Sequence, residues 1–555
     1  MLSNYLRSKT MKYLYTLLSI LIFLISNSSL SQCSETDQSK VMLIGDSWAF
    51  FMNVDGTINN VFDQWGHSDI EYYTNLTLSE NGAETTDFLQ TNKQDEIENQ
   101  LLNRPEVEVV HLSLGGNDVL GSWNINFTQT QTDSLKAEVK DSLIAVIDFI
   151  KSVRPDVKIL WSGYVYPNFE EVISGFLVPS SHPFYGTWEG MLFPDNETIN
   201  ILLNDFSSDI ETHYASDTTV DFVNVTGLMQ YTFGQSDALG VAPFGIYPAF
   251  AAPLPQGYVD YPSPKDAMRN YGVTKDCFHL SVKGYEDLIS YHTQKFYHKF
   301  FMEDVYFIAE DDNRTGTVSS QGNTTGNLFL GEQNGESFST ILNFGTTLNL
   351  DYEVAEASLF LRRKSQIGTN PISDSMVVEI KSGAFGTDLS VESIDYSTPS
   401  DEFSIPCIFG QNNDDYWVRL DLPQELLEFI SVNNETQIRL SAPNNPGALV
   451  EFYGTDNPDF APVLDIVYGQ NPVTSVDEFK TSGLEVVVYP NPALDQIVIE
   501  TNDSEMLEAS IFDLKGRKIG TFTENKIDIS NLESGAYIIS VVTNDGVSNH
   551  KIIKK

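Results

Sequence analysis

Basic residues, cysteines and long apolar runs are all scarce in this chain, and each scarcity removes a class of function. Lysine and arginine total 32 against 77 aspartates and glutamates, a net charge of −45 over 555 residues. So acidic a surface repels phosphate backbones and disfavours anionic membranes, which argues against nucleic acid as a partner. The three cysteines, Cys33, Cys277 and Cys407, have no zinc spacing and are too few for a disulfide framework, so stability is expected from packed cores. The eight histidines form no cluster with ligand spacing, and no metal or other cofactor is expected. Past the N-terminal leader no stretch is long and apolar enough for a stable membrane span.

The leader is the exception. Arg7, Lys9 and Lys12 precede the apolar stretch from Leu14 to Ile25, and Ser29 and Ser31 stand where a signal peptidase reads small side chains. Residues 1–31 are therefore expected to be a secretory signal peptide, cleaved after Ser31. Gln32 is too large for the position before a lipidated Cys33.

Two short motifs far apart carry the chemistry. Gly45-Asp46-Ser47-Trp48 follows the apolar run Val41 to Ile44, and Asp276-Cys277-Phe278-His279 comes more than two hundred residues later. A hydroxyl is a weak nucleophile until a base takes its proton, and a carboxylate can hold that base in the right tautomer. Ser47, His279 and Asp276 supply those three groups. A second apolar run, Val107 to Leu114, delivers Gly115-Gly116-Asn117-Asp118. Between the two, Asn81-Gly82-Ala83 follows the strand-like stretch from Ile70 to Leu78. Strands ending in glycine turns suit the edge of an open sheet, where such folds carry out their chemistry.

In that order the motifs resemble the SGNH, or GDSL-type, hydrolases. The resemblance implies Ser47 as nucleophile, Asp276 and His279 as the rest of a triad, and the Ser47 N–H, Gly82 and Asn117 as oxyanion donors. Trp48 stands where leucine is usual, and Leu280 where proline is frequent. Cys277, inside the second motif, reads as a small buried residue. His182 reads as structural.

Strand-like and amphipathic helical segments alternate over residues 36–303, the clearest helix spanning Asp133 to Val153. This alternation predicts a parallel sheet covered on both faces; the resemblance makes it a three-layer, flavodoxin-like α/β domain. Two irregular insertions, residues 164–194 and 232–273, are rich in aromatics and could either wall a cleft or pack as a satellite core. Over 304–469 short alternating strands with Gly, Asn and Asp turns predict an all-β sandwich, which looks like modules attached to extracellular polysaccharide-active proteins. Its acidic turns Asp311-Asp312-Asn313 and Asp414-Asp415 contain calcium-type ligands, although an empty turn is the commoner state. A linker over 470–482 leads to residues 483–555, a second small sandwich. There Tyr489-Pro490-Asn491-Pro492 and Gly535-Ala536-Tyr537 resemble the C-terminal sorting domain of type IX secretion cargo.

The expected protein is a secreted or surface-exposed serine ester hydrolase, exported through a Sec signal and the type IX machinery. Acylated polysaccharide is the expected substrate, with a lipase-type enzyme acting on lipid-like esters as the alternative. A surface adhesin that keeps the fold only to bind glycan is the reading from outside enzymology.

Overall fold

The run Val41 to Ile44 is fully buried, as a strand covered on both faces must be. In the computed structural model it lies in β1 (Gln38–Gly45). The structure describes residues 38–555 apart from 237, 239–244, 303–304, 311–312, 349–352, 374, 411–412, 432–433, 444, 470–485, 502–505, 514–517, 533–534 and 544–545. The leader, Cys33, the 470–482 linker and Asp311-Asp312 thus lie outside the described residues.

With β2 (Ile70–Tyr73), β3 (Val109–Ser113), β4 (Lys158–Ser162) and β5 (Val220–Val223), β1 forms a five-stranded sheet in the order β2-β1-β3-β4-β5. Every neighbouring pair is parallel. The chain winds one way from β1 to β2 and the other way from β3 to β5. A crevice therefore opens beyond the carboxyl ends of β1 and β3, the switch point where such sheets bind ligands. Helices α1 (Ser47–Val54) and α2 (Thr57–Gln64) follow β1, and α3 (Gly116–Ser122) follows β3. The long helix α4 (Gln129–Val153) starts four residues earlier than its apolar spacing predicts. Thr128 and Gln131 cap each other there, and capping is blind to hydrophobic period. The stretch from Ile70 to Leu78 is strand only as far as Tyr73. Asn75 then turns the chain, its side chain accepting from the N–H groups of Thr77 and Leu78.

The helix α5 (Asn196–Tyr214) precedes β5. Further on, an antiparallel hairpin of β6 (Met268–Tyr271) and β7 (Thr274–Leu280) stands outside the main sheet and leads into α6 (Val282–His292).

Over residues 305–469 the regular elements are mostly antiparallel strands, joined by turns and loops. The longest, Glu353–Ile367, pairs with Trp417–Asp421 along one half and with Leu449–Phe452 along the other, with a bulge between Arg363 and Ser365. Bulges bend strands, and this one lets a single strand serve both layers. Asp414 pairs with Arg363 at 3.1 Å, and Asp415 accepts from the Tyr453 hydroxyl at 2.8 Å. Both carboxylates of that turn are thus engaged within the protein.

The β-rich region shares a core with the α/β domain. Phe360, Trp417 and Val463 belong to the same buried cluster as Phe62, Trp65 and Phe301. Trp65 stacks on Trp417 with ring centroids 5.8 Å apart, and Arg419 reaches Asp69 at 2.7 Å. Within this joint the His67 and His298 rings are hydrogen-bonded at 2.9 Å and buried. Burial is the main cause that lowers both pKa values, His67 to about 3. A histidine kept neutral in the fold binds its proton in the unfolded chain first. Stability is accordingly complete above about pH 6.5 and is lost as the pH falls toward 3, by up to about 1.4 kcal/mol per pH unit for each ring. Thermal melts across that window should show the midpoint dropping, and His67→Gln should flatten the slope.

Cys277 is free and buried, whereas Cys407 is disulfide-bonded. A single bridge is no disulfide framework, in keeping with the small number of cysteines.

Residues 468–555 belong to a second compact unit. It has a three-stranded and a four-stranded antiparallel sheet around its own core of Ile497, Ile499, Ile511, Ile539 and neighbours.

Candidate active site

Gly45, Gly82 and Gly115 mark three turns that meet at the sheet edge. At Gly45 (φ +159°) a Cβ would lie 2.0 Å from the Ser113 carbonyl oxygen, so only glycine lets β1 pass so close to β3. The Asp46 N–H donates to that same carbonyl at 3.0 Å, and the Gly45 N–H to Leu78 at 2.8 Å. Asp46 caps α1, accepting the Trp48 N–H at 2.9 Å, which leaves Ser47 as the first helical residue, buried at 2% exposure. Asn117, in the first turn of α3, donates its side-chain amide to the Ala83 carbonyl at 2.9 Å. That bond ties the Gly82 turn, where φ is +84°, to the Asn117 turn. Gly82 itself is exposed.

Asp276 and His279 come from β7. Four residues between the paired positions Lys275 and Leu280 bulge out of the hairpin. Asp276 Oδ1 accepts the N–H groups of Phe278 and His279, both at 2.9 Å, and Oδ2 meets His279 Nδ1 at 2.9 Å. The pair therefore sits on a bulged strand rather than on a helix or loop, the carboxylate folding the local backbone as well as orienting the ring. His279 Nε2 is buried without a hydrogen-bond partner. Phe51 of α1 packs edge-on against the imidazole at 4.8 Å, placing His279 beside the Ser47 helix. Arg269 of β6 lies over the Phe51 ring at 4.2 Å and forms two bonds with Asp55 at 2.6 and 3.1 Å.

A narrow cleft opens here, lined by Ser47, Asn117, Leu120, Tyr164, Leu203 and Phe278 among others. The first insertion both walls it and packs. Tyr164, Val165 and Pro167 face the cleft, while Phe169, Val172, Ile173 and Met191 form a small core with Cys277. The second insertion mostly packs: the rings of Tyr247, Tyr258 and Tyr261 contact one another, and the Gln230 amide holds the carbonyls of Tyr258 and Tyr261. His182 approaches Thr274 Oγ1 at 3.1 Å and the Lys275 carbonyl at 3.2 Å, a stitch to the hairpin. Burial raises the Cys277 thiol pKa far above its ordinary value, so the thiol stays protonated. Tyr164, in sequence one ring of an aromatic insertion, contacts both turns in the fold.

The family model for the GDSL-like lipase/acylhydrolases matches residues 28–291. That stretch of the chain is a GDSL-like hydrolase domain. It is an ester-bond hydrolase by family, on a parallel α/β fold. Residues 487–555 match the secretion system C-terminal sorting domain, which addresses the chain to type IX secretion and the cell surface or beyond. No helix among the described residues is long and apolar enough to cross a membrane. No curated protein matches the chain at a significant level. Among solved structures, a GDSL-like lipase from Bacteroides thetaiotaomicron is 12% identical, covering 50% of this chain and 96% of its own (TM-score 0.26). A family 3 carbohydrate esterase from Clostridium thermocellum is 16% identical, covering 46% and 94% (TM-score 0.24). The periplasmic domain of a Salmonella lipopolysaccharide acetyltransferase is 17% identical, covering 47% and 85% (TM-score 0.26). Three different activities at such identities leave the substrate of the hydrolase domain to be argued from its residues.

Proposed function

We propose that the hydrolase domain removes short acyl groups, acetyl foremost, from a polysaccharide by a serine mechanism. Ser47 Oγ bonds to the ester carbonyl carbon as its proton passes to His279 Nε2, and Asp276 steadies the imidazolium. The carbonyl oxygen becomes an oxyanion held by the Ser47 N–H, Gly82 N–H and Asn117 amide. Collapse breaks the bond to the sugar oxygen, which takes the proton from His279. Water then attacks the acyl-serine by the same route and frees the acid. The observation that carries this reading is the 2.9 Å Asp276–His279 contact with Nε2 left unpartnered beside the Ser47 helix.

A short acyl group fits best because the space beside Ser47 is narrow and lined by the bulky side chains of Leu120, Leu203 and Phe278. On p-nitrophenyl esters, kcat/KM for acetate should exceed that for octanoate by roughly 100-fold or more, since each methylene that does not fit is worth about 1–3 kcal/mol. Acetate release from acetylated xylan should likewise outpace hydrolysis of triglyceride or phospholipid. The reverse order would hand the site to the lipase-type reading. One feature favours that alternative: Leu177 and Val273 are 95% and 93% exposed on the two segments stitched by His182. The export route inferred here begins with the signal peptide at 1–31, and 304–469 is assigned to an accessory sandwich that follows the hydrolase domain at 36–303.

A further inference from the structure

The turns bearing Ser47 and Asn117 leave neighbouring strands, but the β1–β3 ladder ends at Gly45 and Ser113. Past the Asp46 N–H bond to Ser113, side chains must hold the two turns in register, and reacting groups tolerate only about 0.5 Å of error.

Tyr164, just beyond β4, spans both. Its hydroxyl donates to Asp46 Oδ2 at 2.6 Å, while Asp46 Oδ1 caps the Ser47 helix. Its ring lies flush on Gly116, where a Cβ would come within 2.8 Å of the ring. Trp48 packs edge-on against the same ring at 4.9 Å. We propose that Tyr164 is a positioning residue that registers the nucleophile turn against the oxyanion turn, acting through Asp46 on one side and Gly116 on the other. The proposal rests on the roles assigned above to Ser47 and Asn117.

The bonds that Asp46 accepts from Trp48 and Tyr164 are at full strength only while its carboxylate is ionised. Burial pushes its pKa up to about 6, against the lowering effect of the Tyr164 and Trp48 hydrogen bonds. The other titratable groups acting on it are His279 from the hairpin, Asp118 from α3 and Tyr285 from α6. His279 favours the charge and Asp118 opposes it. Losing the Tyr164 donor removes a bond made to the charged form and raises the carboxyl pKa further. The active, ionised arrangement then fails at a higher pH than in the parent enzyme.

The test uses the full chain with p-nitrophenyl acetate, from pH 5 to 9. Tyr164→Phe keeps the ring on Gly116 and should lower kcat about tenfold near neutrality with KM little changed, as for one lost hydrogen bond to a buried charge. Its acid limb should move to higher pH. With Asp46→Asn already in place, the same substitution should cost less than about twofold and shift nothing, because the pair acts as one unit. A Tyr164→Phe profile that overlays the parent after scaling, or an equal loss in both backgrounds, overturns the proposal. Should that variant fail to accumulate, Gly116→Ala probes the contact from the other turn; a reduced kcat at constant KM is expected, and an unchanged kcat overturns it. Fluorophosphonate labelling on the same samples separates the two ideas. A labelled Ser47 with an unshifted Tyr164→Phe profile removes the role of Tyr164 alone, and an unlabelled Ser47 removes both.

Discussion

Ser47→Ala is expected to lower kcat on p-nitrophenyl acetate by roughly 10⁴- to 10⁶-fold while leaving the fold unchanged. The side chain is small, and alanine at the first helical position keeps the backbone that Asp46 caps, so circular dichroism and melting temperature should match the parent. His279→Ala should cost a comparable factor, and the double variant little more, because nucleophile and base act as a unit. Asn117→Ala is a milder lesion, about 10²- to 10³-fold in kcat, as for one oxyanion donor. Its amide also ties the Gly82 turn through Ala83, so this variant should lose part of that turn's order as well. A folded Ser47→Ala enzyme with near-parental turnover would falsify the nucleophile assignment.

The second large effect concerns the joint. Cutting the chain after residue 303 uncovers Trp65, Phe62 and Phe301, which share their cluster with Phe360, Trp417 and Val463. The excised hydrolase domain should therefore be insoluble or melt far below the longer chain, rather than survive as an active fragment. Trp417→Ala tests the same point within the intact protein. The indole is 1% exposed, and truncating such a side chain typically costs about 3–5 kcal/mol. Calorimetry of residues 32–469 should show one cooperative transition that shifts as a whole in the variant. Two separated transitions, with only one displaced, would mean that the domains fold independently.

What the sequence disclosed follows from where each signal lives. The placement of Ser47 and Asn117 beyond two strand ends was legible because an apolar run ending in glycine encodes both the strand and the turn that presents the next residue. Burial of Val41 to Ile44 and Val109 to Leu112 agrees with the runs that announced them. The joint was illegible for the opposite reason. Trp65, Phe360 and Trp417 each fit the local period of their own element, and nothing in a period says which surface lies across from it. The β6–β7 hairpin was hidden too, because Asp276 shapes its bulge by side-chain bonds to the Phe278 and His279 N–H groups. Tyr164 looked like one more ring in an aromatic insertion. Its importance depends on Asp46 and Gly116, which are distant from it in sequence and adjacent only once β1, β3 and β4 align.

The hairpin carries a kinematic consequence. Asp276 and His279 ride on one bulge, so any movement of β6 and β7 carries them together and leaves their mutual geometry intact. Only the offset between that bulge and the Ser47 helix is free to vary. Two fixtures govern it, the Arg269–Asp55 fork and the Phe51 ring held between Arg269 and His279. Assembling the proposed triad thus reduces to aligning two pieces, the bulge and the Ser47 helix, along a single seam.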